Sequence, residues 1–107
     1  MSITESTGTG SPAAGAEFDV VIRGGTVFDG TGAAGRRADV GIRDGAIAAI
    51  SAAPLEVSPE TRVIEAEGRW VTPGFIDTHT HYDVEMLVSP GLLESVRHGV
   101  TTVLVGN

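Results

Sequence analysis

The chain is 107 residues long, the size of one modest domain, and contains no cysteine, so no disulfide framework exists and nothing opposes a cytoplasmic setting. Its 7 basic residues, all arginine, face 14 acidic ones for a net charge of -7, which argues against the clustered positive charge that nucleic-acid binding needs. No apolar run approaches the ~20 residues of a membrane helix, so neither nucleic acid nor membrane is an expected partner.

Residues 1–17 are mostly Ser, Thr, Gly, Ala and Pro. They lack the basic start and apolar stretch of a signal peptide, and they predict a disordered tail that cannot bury enough apolar surface to fix itself. Phe18 to Arg23 is an apolar, β-branched run ending at a Gly24-Gly25 turn, and Thr26-Val27-Phe28 follows as a second strand. Asp29 to Arg37 reads as a loop rich in Gly and Ala. Ala38 to Arg43 alternates loosely as a third strand. Asp44-Gly45 is the strongest hairpin signal, because a type I′ turn needs positive φ at both central positions. Ala46 to Ile50 is the returning strand. Two prolines mark Ser51 to Thr61 as loop. Arg62 to Ala66 and Arg69 to Thr72 supply two more strands across Glu67-Gly68. Residues 18–72 therefore predict a small all-β unit of sandwich type, with hairpins every ~8 to 12 residues. Trp70 is expected to fill a core or a domain interface. Gly24-Gly25 and Gly30-x-Gly32 do not open a helix after a strand, so they read as turns and not as a dinucleotide fingerprint.

The most informative stretch is Pro73-Gly74-Phe75-Ile76-Asp77-Thr78-His79-Thr80-His81. After the Pro-Gly breaker, Phe75 to Thr78 read as a buried strand. Side chains alternate along a strand, so His79 and His81 are expected on one face, roughly 6–7 Å apart at Cα, with Asp77 two residues earlier on that face. Two imidazoles on one face can converge on one cation at about 2.0–2.1 Å each, which suits zinc and its neighbours. The alternative is a pair of core histidines, which cost desolvation unless each has a hydrogen-bond partner. Tyr82 to Glu85 begins a loop. Ser89 and Pro90 are placed to start a short helix with Leu92, Leu93 and Val96 on its apolar side. Arg97-His98-Gly99 closes it, with His98 taking a helix-end position. Val100 to Val105 is nearly all β-branched, as in a parallel strand covered on both faces. Strand, helix and strand make one β-α-β unit.

This stretch resembles the first barrel strand of the amidohydrolase superfamily, whose signature is Pro-Gly-Phe-Ile-Asp-x-His-x-His. With Thr78 and Thr80 in the gaps, Tyr82-Asp83 following, and Gly99 to Asn107 as a second strand, it looks most like the D-aminoacylase (N-acyl-D-amino-acid deacylase) branch. The resemblance implies an α/β plus all-β fold class. A small N-terminal β-sandwich unit, residues 18–72, composite and incomplete, precedes the start of a metal-dependent (β/α)8 TIM barrel at residues 73–107. Such a barrel usually needs about 250 residues, whereas 35 remain from Pro73 onward. The chain is therefore expected to be a truncated, N-terminal piece of a longer enzyme.

The activity the resemblance implies is hydrolysis of a non-peptide C–N bond in a small-molecule N-acyl-D-amino acid. The implied cofactor is Zn2+ or another divalent transition metal, one or two ions. A bound cation of this kind lowers the pKa of water toward neutrality and polarises a carbonyl. His79 and His81 are its implied ligands, and Asp77 and Asp83 are candidates to orient an imidazole or hydrogen-bond at the mouth of the site. Further histidines and a general-base aspartate would come from later strands, and in this branch a metal-binding cysteine directly follows the pair matching Gly106-Asn107. No catalytic residue is thus expected within these residues, and the piece alone is expected to be inactive. Two alternatives remain open. One is a cyclic-amide hydrolase of the dihydroorotase or hydantoinase type, whose usual carboxylated lysine has no lysine here to test it. The other is a non-catalytic remnant.

Overall fold

The computed structural model describes residues 18–106, so the tail expected at residues 1–17 lies outside the described residues. Two compact units divide the chain, with the boundary between Thr72 and Pro73.

The first unit is one five-stranded sheet built on β1 (Val20–Val27). On one side β1 pairs antiparallel with β2 (Arg36–Arg43), which pairs antiparallel with β3 (Ala46–Ser51). The β2–β3 turn is Asp44-Gly45, with φ of 51° and 75°, the positive values the sequence predicts there. On the other side β1 pairs parallel with β4 (Arg62–Glu65) and then with β5 (Trp70–Val71). This differs from the expected succession of hairpins. Residues 66–69 form a short turn closed by Arg69 N–H on the Ala66 carbonyl at 2.9 Å. The two short strands are consequently halves of one interrupted edge, both running along β1.

A second difference explains the first. Gly24-Gly25 is not a turn between two strands. It is a bulge inside a single strand, where Ile22 pairs with Val40 and Gly25 with Ala38, leaving one extra residue on β1. Gly24 absorbs the extra residue at φ 70°, and its N–H donates to Asp39 Oδ1 at 2.8 Å. An odd insertion reverses side-chain parity. Ile22 and Val27, five positions apart, therefore both join a core cluster with Ala38, Val40 and Ile50. A similar irregularity on β3, between the Gly41–Ala49 and Ile42–Ile47 pairs, lets Ile47 and Ile50 share that cluster. The edge opposite the β1 bulge is where β4 gives way to β5. A Cβ on Gly25 would lie 2.5 Å from Val71 Cγ2 and 3.1 Å from the Ala66 Cβ, so the chains approach there as only glycine permits.

A second cluster joins Phe18, Val21 and Leu55, with Ala49 against it. Leu55, from the proline-marked loop, is buried to 3% exposure, and its N–H donates to Asp39 Oδ2 at 3.0 Å. Asp39, 6% exposed, thus ties the β1 bulge to the loop carrying Leu55. Trp70, expected to fill a core or interface, is 77% exposed in this chain and meets the Phe28 ring edge-on, centroids 5.3 Å apart. In its two-residue strand Val71 turns toward the first core cluster and Trp70 turns away from it.

The second unit pairs β6 (Phe75–Asp77) in parallel with β7 (Val100–Val103). Between them lie α1 (Tyr82–Val88) and α2 (Leu93–Arg97). The first helix replaces the loop expected from Tyr82. Val84, Leu87 and Val88 stand at the i, i+3, i+4 spacing of a helix face, a signal confined to one turn, and with Met86 all are exposed. Asp83 and Glu85 in its first turn do favour a helix start. Ser89 ends α1 instead of starting α2, donating its N–H to the Glu85 carbonyl at 2.6 Å. α2 follows Leu92 in the left-handed region, φ 44°, without a side-chain cap. At its end His98 donates its N–H to the Ser95 carbonyl at 3.0 Å, and Gly99 turns out at φ 81°. Among the described residues no helix is long and apolar enough to cross a membrane.

Candidate metal centre

The expected strand face carrying Asp77, His79 and His81 is shorter than the sequence suggests. β6 stops at Asp77, His79 lies in a bend, and His81 is the residue before α1. Local hydrogen bonds take over where the ladder stops. The last backbone link from β6 runs from Leu104 N–H to the Asp77 carbonyl at 2.9 Å. The Asp77 carboxylate then accepts the His79 N–H at 3.1 Å through Oδ1, the turn an Asx side chain makes two residues on. Thr80 donates its hydroxyl to the Leu104 carbonyl at 2.7 Å and is 8% exposed. Thr80 faces inward, while His79 and His81 face outward on either side of it.

The two imidazoles remain neighbours, with ring centroids 5.5 Å apart and planes at 87°. Two imidazoles sharing one tetrahedral cation at ~2.0–2.1 Å per nitrogen would have their centroids about 5 Å apart. The spacing fits a shared metal, and neutral imidazole is a donor that zinc, copper and related divalent ions accept. His81 lends no side-chain hydrogen bond to the helix it precedes, so its ring is not committed to capping. Among the described residues no group of three or more His, Cys, Asp or Glu could hold a metal. The pair by itself thus supplies two donors, fewer than the three protein ligands a catalytic zinc usually has.

The other sequence candidates fall in different places. Asp77 is half-buried and engaged by the His79 backbone. Asp83 is exposed in the first turn of α1, two residues past His81. His98 precedes β7, whereas His79 and His81 follow β6. In a parallel pair those are opposite ends, so the structure separates His98 from the other two histidines. Thr80 is the residue that inspection of the sequence missed. Its one signal there was a β-branched hydroxyl residue between two outward histidines.

Parallel α/β barrels carry their chemistry where His79 and His81 lie, beyond the C-terminal ends of strands. Residues 62–107 match the amidohydrolase family. An uncharacterized protein of Mycobacterium tuberculosis is 58% identical over 90 residues, which are 84% of this chain and 15% of that protein. The N-acyl-D-glutamate deacylase of Alcaligenes xylosoxydans xylosoxydans is 50% identical over 91 residues, 85% of this chain and 18% of the relative. The crystal structure of N-acyl-D-glutamate deacylase from Bordetella bronchiseptica, complexed with zinc and a phosphonate mimic of the tetrahedral intermediate, superposes with a TM-score of 0.71 at 46% identity. That match covers 85% of this chain and 19% of that one. The chain thus spans less than a fifth of the length of each of these three proteins.

Proposed function

We propose, for a chain that belongs to the amidohydrolase family, that the enzyme containing it removes the acyl group from N-acyl-D-amino acids with the help of a divalent metal. The observation that carries the reading is the His79–His81 pair, 5.5 Å apart at the ring centroids, just past the end of a strand paired in parallel with its neighbour. A zinc-type cation held there would supply Lewis acidity and a water of lowered pKa. The chain's own contribution is positional. His79 and His81 offer two neutral nitrogen donors, Asp77 fixes the backbone of the first, and Thr80 fixes the backbone between them. Asp83 remains a candidate to meet substrate at the mouth of the site.

The relatives support an acyclic N-acyl substrate over a cyclic amide, because the N-acyl-D-glutamate deacylases align across 85% of this chain. Catalytic zinc usually needs three protein ligands and an open position, and hydrolysis needs a general base as well. The 107 residues alone are therefore expected to be inactive. We place the enzyme in the cytoplasm, since these 107 residues hold no disulfide that would call for an oxidising compartment.

The test uses the purified full-length enzyme. Zinc content is measured, acetate release is followed from N-acetyl-D-glutamate and N-acetyl-L-glutamate, and ring opening of dihydroorotate to N-carbamoyl-aspartate is followed by loss of its ultraviolet absorbance. The reading expects metal, turnover of the D-substrate, and loss of both in the His79→Ala, His81→Ala double variant. Unchanged zinc in that variant would sink the metal assignment, and preference for dihydroorotate would overturn the substrate.

A further inference from the structure

The geometry points to Thr80 as a positioning residue for the histidine pair, an inference that rests on the metal reading above. β6 is three residues long and ends before either imidazole, so strand pairing cannot by itself aim them. The hydroxyl of Thr80 extends the β6–β7 connection past that end. Leu104 is held at both of its backbone groups, its N–H on the Asp77 carbonyl at 2.9 Å and its carbonyl under Thr80 Oγ1 at 2.7 Å. Thr80 is 8% exposed and the bond is partly buried, which reduces competition from water on the donor side. A β-branched side chain is also stiff at χ1. Anchoring it restricts the backbone on both sides, and the residues on both sides are His79 and His81.

Asp77 holds the His79 N–H independently at 3.1 Å, and the Tyr82 hydroxyl is hydrogen-bonded to Ser95 of α2. Thr80 is the tie that acts between the two rings. Serine keeps the donor, whereas valine keeps the shape and loses it. The Leu104 carbonyl then lacks its partner, and the two imidazoles lose their common reference to β7.

The experiment is a zinc competition titration on the full-length apoenzyme, with the visible absorption of the Co2+ form as a second readout. Thr80→Val is expected to weaken zinc binding ~10- to 100-fold, the range typical of supporting groups behind metal ligands, and to alter the Co2+ spectrum. Thr80→Ser is expected to restore both. Near-ultraviolet circular dichroism establishes that each variant is folded. If Thr80→Val is not, Thr80→Ala removes the same hydroxyl without an added methyl and carries the comparison. Wild-type zinc affinity in the folded hydroxyl-free variant, even with a lowered melting temperature, would show a purely structural role and overturn the proposal. The His79→Ala, His81→Ala variant separates the two failures. If it binds zinc as the unsubstituted enzyme does, the metal reading falls and Thr80 falls with it. If it loses zinc while Thr80→Val does not, Thr80 alone is wrong.

Discussion

Replacing Asp39 by alanine tests the link between the β1 bulge and the loop bearing Leu55. The carboxylate accepts two backbone N–H groups, from Gly24 at 2.8 Å and from Leu55 at 3.0 Å. The Leu55 bond is buried and the Gly24 bond is partly buried. Leaving a buried donor unpaired costs about 1–3 kcal/mol. The Leu55 N–H belongs near the upper part of that range. Gly24, closer to solvent, regains part of its loss from water and belongs near the lower end. The sum is about 2–4 kcal/mol, and at ~1.4 kcal/mol per factor of ten this corresponds to roughly 30- to several-hundred-fold easier local opening. Hydrogen-exchange mass spectrometry on the full-length enzyme reads this directly in peptides covering residues 20–27 and 53–57. Asp39→Asn, whose amide offers one acceptor and turns a donor toward the second N–H, should fall between wild type and alanine. Unchanged exchange in the 53–57 peptide of Asp39→Ala would refute the view that this carboxylate closes the loop onto the sheet.

Three further outcomes follow from particular contacts. A Cβ at Gly41 would lie 2.6 Å from Phe18 Cδ1 and 3.0 Å from Leu55 Cδ1, so Gly41→Ala should destabilise the first unit by about 1–3 kcal/mol through overpacking, measured by urea unfolding. At Gly74 the corresponding Cβ would sit 2.1 Å from Thr101 Oγ1; Gly74→Ala should push β6 from β7 and speed amide exchange at Phe75. The Asp29 carboxylate accepts the Thr31 hydroxyl, the Thr31 N–H and an Arg36 guanidinium N–H, which together lower its pKa to about 2. Because the folded value lies below the unfolded one, its stabilising effect is complete above ~pH 4 to 5 and fades as pH falls toward 2. A carboxyl 13C titration should show that low midpoint, and Thr31→Val should raise it toward the ordinary carboxylate value.

Local chemistry determined much of this protein. Asp44-Gly45 had to turn with positive φ, because few other pairs tolerate it at both positions. Val100 to Val103 had to extend, because β-branched side chains crowd a helix. The His-x-His wording brought two imidazoles close at whatever angle the backbone adopted, and it carried the family resemblance. Tertiary structure decided what depends on distant partners. Gly24-Gly25 is a bulge and not a turn because Asp39, 15 residues away, accepts the N–H that the extra residue leaves over. β4 and β5 run parallel along β1 because that pairing satisfies backbone groups on both sides of the bulge, and no local pattern encodes direction. Thr80 faces inward because Leu104, 24 residues on, presents a carbonyl to it. Propensity acts over a few residues, whereas a hydrogen-bond partner is chosen only when the chain has folded back on itself.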